Sequence, residues 1–378
     1  MRTSCAVVAG VLAGALAGVG LAGALGRFDP APPAPRLQAV PDSGGRIRSL
    51  LLHWSPDGGE LVLPTYRDLL AALPDDVELQ VAVERAEHFE DLRRRLGAAG
   101  ASGLERLRPL VVGRPITIWS RDRFVTAERD GRTVLIVPAQ TFTAAPTRAN
   151  DWVVPWRLAA RPRGRVAAAS APFAFDGGDF VADERRIFAT AVLAGRNAGT
   201  RWADSAALQA ELSTRFGREP VLLGDRVAEV PNHHIGMFVT PLGDDTVAVG
   251  DPRAAAALVE AAEPGSALAT LDADLSPETT AKFVRVADEL RAAGLRVVPI
   301  PLVPTERSYV FLSYNNVLLD DRPDGRHVLV PQYGFPELDA AGRTAWESLG
   351  LVVHPIDASG LYANGGALRC VAAVLRRS

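Results

Sequence analysis

Cysteine is almost missing from this chain. The 378 residues hold two, Cys5 in an apolar N-terminal run and Cys370 eight residues from the end. A lone thiol in the body excludes an internal disulfide framework and leaves a free thiol or an intermolecular bridge. Lysine is scarcer still: Lys282 is the only one, so positive charge is carried almost wholly by arginine. Basic residues number 41 against 44 acidic ones, for a net charge of −3, and that balance gives no global field to favour nucleic acid. The chain has no Gly-rich phosphate loop opening a helix, which argues against nucleotide binding. It also has no Glu-x-x-His or His-x-x-x-His spacing, which argues against a zinc site.

What remains is ordinary globular composition, 48% hydrophobic and 22% charged, with ample chain for a large core. Residues 1–26 read as an export signal or an uncleaved N-terminal anchor. Arg2 is followed by an uncharged Ala/Gly/Leu/Val-rich run from Thr3 to Gly26 that ends in small residues. Membrane attachment is expected only through residues 3–26. Residues 27–46, with Pro30-Ala31-Pro32-Pro33-Ala34-Pro35 and Gly44-Gly45, read as a Pro/Gly-rich linker. Residues 47–378 form the body.

Within the body, short apolar runs alternate with helical patterns. Strands are read at Ile47–Trp54, Val77–Val83, Thr133–Val137, Val221–Leu223, Thr246–Val249, Val297–Ile300, Val328–Val330 and Leu351–Pro355. Helices are read at Tyr66–Leu73, Ala86–Leu96, Ser205–Phe216, Ala254–Ala262, Pro277–Ala293 and Asp339–Leu349. A repeated helix–strand–loop–strand order runs near 66–125, 205–249, 277–319 and 339–375. The fold class is α/β, and a doubly wound sheet satisfies the same alternation. The Arg/Ala-rich stretch Val153–Ala171 reads as an irregular surface excursion.

Four segments combine titratable residues with turn chemistry. In Trp119-Ser120-Arg121-Asp122-Arg123-Phe124 an aspartate lies between two arginines, a setting that favours its charged form. Phe175-Asp176-Gly177-Gly178-Asp179-Phe180 puts two aspartates around a glycine pair. Asn232-His233-His234-Ile235-Gly236-Met237-Phe238 leads into a strand; neighbouring histidines on a strand face opposite ways, so at most one should reach a shared site. Asn364-Gly365-Gly366-Ala367-Leu368-Arg369-Cys370 carries the thiol. Taken singly, each has a plain structural reading: a surface ion pair, a turn, a buried small hydrophobe. Together they fit one chemistry. A thiolate attacks an electron-poor carbon, a histidine moves protons, and two carboxylates hold a flat cation by its edges. Guanidinium, with its fixed fork of N–H donors, is that cation.

On these residues the body resembles the guanidine-modifying enzymes of the pentein superfamily, in particular agmatine deiminases and bacterial, Porphyromonas-type peptidylarginine deiminases. Ser313-Tyr314-Asn315-Asn316, Val328-Leu329-Val330-Pro331-Gln332-Tyr333-Gly334, Pro355-Ile356-Asp357 and Gly365-Gly366 to Cys370 follow the family's order and spacing. Trp119-x-Arg121-Asp122 and Phe175-Asp176-Gly177-Gly178-Asp179 are similar to its two acidic motifs. The resemblance implies a five-bladed α/β propeller of ββαβ units around a central site. It implies Cys370 as nucleophile, His234 as general acid and base, and Asp122 and Asp176 as guanidinium ligands. Trp119, Asp179, Asn316, Arg196 and Gly366 would contact substrate, Arg196 by way of a substrate carboxylate. The implied substrate is a small guanidine such as agmatine or arginine, or an arginine-containing peptide, and neither metal nor organic cofactor is implied. One position departs from the pattern: Gly236 stands where the deiminases carry an aspartate two residues after the histidine. That departure leaves open a substrate substituted at the far nitrogen, as for a dimethylarginine-type hydrolase, compensation by Asp179, or the weak or absent activity of a non-catalytic binding module; an amidinotransferase, which shares the nucleophile, is a further alternative. A smaller departure is Arg369, where agmatine deiminases carry histidine.

Overall fold

The architecture is taken from a computed structural model that describes residues 37–139, 146–161, 165–307 and 309–378. The apolar segment 1–26 and the first part of the linker lie outside the described residues. Among the described residues no helix is long and apolar enough to cross a membrane.

Five small sheets carry one recurring unit: an antiparallel strand pair, a helical crossover, then a strand added in parallel. Val125–Arg129 and Arg132–Val137 pair antiparallel, and Val166–Ser170 joins in parallel after the helix Val153–Ala159. Val181–Ala182, Arg186–Thr190 and Glu219–Leu223 repeat this around the helix Ser205–Phe216. Val239–Gly243, Thr246–Asp251 and Arg296–Pro304 do so around Pro277–Ala292, and Leu318–Arg322, Gly325–Gln332 and Val352–Asp357 around Pro336–Glu347. The fifth unit closes the chain on itself. The last strand, Ala373–Arg377, pairs antiparallel with Ile47–Trp54, to which Glu78–Val83 is added in parallel after the helix Gly59–Ala72. Parallel pairs need covered faces, and the central strands are accordingly apolar on both sides. Leu50, Leu51 and Leu52, or Val328, Leu329 and Val330, are buried consecutively.

Two sequence readings change. Residues 37–46 are not linker: Gln38–Ala39 pairs antiparallel with Val125–Arg129, and Ala39 and Ser43 are buried. The proline run ends at Pro35, and beyond it the backbone is free to join a sheet. Val153–Ala171 is not an excursion either, because it supplies the helix and strand of the first unit. Its Val166-Ala167-Ala168-Ala169-Ser170 strand has little intrinsic β propensity, and pairing with Arg132–Val137 overrides that.

Candidate active site

The four motif segments occupy strand ends and short 3-10 turns, and main-chain hydrogen bonds tie them together. Arg121 N donates to the carbonyl of Cys370 at 3.3 Å, which brings the first acidic segment beside the thiol. Gly177 N donates to Asp122 O at 2.9 Å, which joins the two acidic segments. Asn316 links the other two: its Nδ2 donates to Gly236 O at 2.7 Å, and its Oδ1 accepts from Arg369 N at 2.8 Å. Cys370 sits on the four-residue helix Leu368–Val371, immediately before the closing strand, and is 6% exposed.

The glycine pair of the second acidic segment has a specific steric cause. A Cβ at Gly177 would stand 2.1 Å from Phe124 O and 2.2 Å from Arg121 O, so only glycine allows this loop onto the first segment. A Cβ at Gly178 would stand 2.5 Å from His234 Nδ1, so the second glycine makes the space in which the imidazole lies. Gly366 does the same for Trp119, whose ring would be 2.2 Å from an added Cβ.

His234 reaches the carboxylate of Asp176, Nε2 to Oδ2 at 3.4 Å, and the Cys370 side chain is near enough to favour its charged form. Burial by itself pushes this imidazole down. The hydrogen bond to Asp176, the Cys370 side chain and the charges of Asp122 and Asp179 outweigh it, so the group is pushed up to about 10. The two histidines are not on a strand, since His234 precedes the 3-10 turn Ile235–Met237. They nevertheless diverge. His233 Nδ1 accepts from His234 N at 2.7 Å, so the hydrogen-bond pattern assigns the proton to Nε2, which donates to Gly365 O at 2.9 Å. Burial, with the neighbouring His234 charge, pushes His233 down to about 3, so it remains a neutral strut.

This charge state has a consequence for stability. His234 holds its proton more tightly folded than unfolded, so its contribution is complete below about pH 6.5 and is lost as pH rises through about 10. The urea midpoint of the wild-type protein is expected to fall over that window, and the His234→Gln midpoint to stay flatter. Equal slopes for the two proteins would refute the assignment.

The carboxylates are surrounded by arginines. Asp176 pairs with Arg123, with Arg196 Nη2 at 3.2 Å and with Arg148 Nη2 at 3.9 Å. Burial raises its carboxyl, but His234, Arg196 and Arg123 win and hold it well below the usual carboxylate range. Neither arginine flanking Asp122 pairs with it. Adjacent side chains diverge: Arg121 reaches Asp42 at 3.4 Å and Phe180 O at 3.0 Å, and Arg123 reaches Asp176. The partner of Asp122 is Arg148.

Of the other candidates, Trp119 is half-buried over Gly366. Asp179 is engaged within its own loop, where Oδ2 accepts from Asp176 N at 2.8 Å and from Arg196 Nε at 2.8 Å. Arg196 is thus held by Asp179 and Asp176, and Asn316 bridges backbone segments at 2% exposure. A Cβ at Gly236 would meet nothing nearer than 3.6 Å, with Arg369 Cζ at 3.9 Å. Arg369 itself is buried and paired to Asp42. Arg148 and Asp42 carry no sequence signal, because their partners lie 26 and 327 residues away; His233 lies in the motif, but its bond to Gly365, 132 residues away, is not legible there. Among the described residues no group of three or more His, Cys, Asp or Glu side chains is placed to hold a metal ion.

No family profile and no curated protein matches this chain. Solved structures do. The agmatine deiminase of C. jejuni superposes with a TM-score of 0.64 at 13% identity, covering 89% of this chain and 95% of that one. An agmatine deiminase of Enterococcus faecalis gives 0.65 at 16%, covering 90% and 96%. At such identity the likeness is one of fold: the chain shares the mixed α/β fold of these two agmatine deiminases.

Proposed function

We propose that this protein is a guanidine hydrolase whose nucleophile is Cys370, and that its five ββαβ units are the blades of a pentein propeller around the site. One observation carries the reading. A buried imidazole, held cationic in the neighbourhood of a thiol, bonds a carboxylate, and a second carboxylate beside them already holds a guanidinium, that of Arg148.

In the reaction, the substrate guanidinium pairs with Asp122 and Asp176, which hold its carbon over Sγ. The imidazolium of His234 favours the thiolate. Sγ adds to the carbon, His234 gives its proton to the departing nitrogen, and the C–N bond breaks to leave a thiouronium on Cys370. Neutral His234 then takes a proton from water. The resulting hydroxide adds to the carbon, the C–S bond breaks, and a ureido product leaves with the thiolate restored. Trp119 and Gly366 form one wall, and Asn316 holds the histidine and cysteine segments in register.

A second reading concerns the leaving group. With Gly236 in place of an acid and Asp179 engaged in its loop, neither of these positions offers the far nitrogen a free carboxylate, which favours a guanidine substituted there. A colour assay for ureido groups on agmatine, arginine, dimethylarginine and an arginine peptide tests both readings. Ureido product with ammonia marks a deiminase, and ureido product with an alkylamine marks the substituted substrate. A new guanidine in the presence of an added amine marks amidino transfer. No turnover of any of the four refutes the hydrolase. The apolar segment 3–26 supports an exported or anchored protein.

A further inference from the structure

We propose that Arg148 is a specificity-determining residue: its guanidinium occupies the cradle of Asp122 and Asp176 in the free protein, and a guanidine substrate enters by exchange with it. This rests on the reading that the cradle is a guanidinium site.

Arg148 Nη2 is bonded to Asp122 Oδ2 and lies 3.9 Å from Asp176 Oδ2, against a carboxylate side chain that is only 4% exposed. Its charge is favoured first by Asp122, then by Asp176, Asp151 and the Cys370 sulfur, so it sits within the field of the nucleophile. Around the cradle, three carboxylates (Asp122, Asp176, Asp179) already face three arginines (Arg123, Arg148, Arg196) and the His234 imidazolium. A substrate cation added to that filled set would be a buried charge without a partner, which is strongly unfavourable. Replacing one arginine keeps the balance. Arg123 is confined, its side chain 3% exposed, and Arg196 is held by two carboxylates at 2.8 and 3.2 Å. Arg148 is hydrogen-bonded to a single carboxylate with Asp176 only at 3.9 Å, its side chain is 28% exposed against 33% for Arg196, and it rides on the five-residue helix Pro146–Asn150. Of the two arginines that reach solvent, Arg148 is the less firmly held.

The exchange selects ligands. A tethered guanidinium competes at high effective concentration. Apparent affinity falls by the fraction of molecules in which the cradle is open. A ligand that offers only a guanidinium trades like for like and is screened out, whereas a guanidine with a second group anchored elsewhere gains contacts that Arg148 lacks. The substrate class is therefore guanidines carrying a distal binding group.

The test measures binding of methylguanidine and agmatine by calorimetry to full-length Cys370→Ser protein, with and without Arg148→Gln. Removing Arg148 is expected to tighten methylguanidine roughly tenfold or more, and agmatine by at most the same factor. Arg148→Lys keeps the charge without the planar fork and is expected to tighten methylguanidine less. Unchanged or weaker methylguanidine binding in both Arg148 variants, with agmatine still bound, overturns the exchange and leaves the guanidine site standing. Failure of every variant to bind either probe overturns the site and the exchange together.

Discussion

Cys370→Ser is expected to lower turnover of any accepted guanidine by roughly a thousandfold or more, the scale of losing a covalent nucleophile. The substitution replaces sulfur with oxygen at a position 6% exposed, on a short helix fixed through backbone groups. Arg121 N bonds the Cys370 carbonyl, and Asn316 bonds the preceding residue, so neither contact uses the thiol. The fold should persist, with a urea midpoint near wild type. A hydroxyl is a poor nucleophile here because the imidazolium of His234 stabilises a thiolate far more readily than an alkoxide. Intact-mass spectrometry of wild-type protein quenched during turnover should show an adduct at Cys370 that the variant lacks. A variant turning over at the wild-type rate would end the covalent mechanism.

Asp176→Asn should produce the second largest effect, on both activity and stability. Asp176 is the shared counter-ion of His234, Arg123 and Arg196. Its neutral replacement strands Arg123, whose side chain is 3% exposed, and an uncompensated buried charge of that kind costs roughly 3 kcal/mol. The depressed carboxyl contributes stability above its unfolded value near 3.8 that is lost as pH falls through the folded one. The difference between wild type and variant should accordingly narrow in acid. Histidine 234 also loses the hydrogen bond that most raises it, so its titration should drop from about 10. Turnover should fall roughly a hundredfold as the substrate cation loses a carboxylate and less of His234 stays protonated. An NMR titration of His234 unchanged by the substitution would show that Asp176 does not set its charge.

Much of this molecule is legible along the chain. Ile47–Trp54 and Ser205–Phe216 have the bounds that periodicity gives them, because burial on one stripe or two faces imposes those patterns. The segments around Asp122, Asp176, His234 and Cys370 stand out because turn glycines and titratable side chains rarely cluster without cause. Where the reading failed, the cause is non-local. The Ala-rich strand Val166–Ser170 and the short strand Gln38–Ala39 exist because a neighbouring edge is available to pair with them. Propensity carries no record of that edge.

The sequence by itself determined which groups could do chemistry: one thiol, an imidazole and two acidic loops with glycines where a side chain would collide. The tertiary structure alone decided their partners. It gave Asp122 to Arg148, turned Arg121 toward Asp42, engaged Asp179 within its own loop and protonated His234 between a carboxylate and a sulfur. The reason is physical: side-chain type is local, but the field that sets charge and pairing inside a buried site is a sum over residues that only folding brings together.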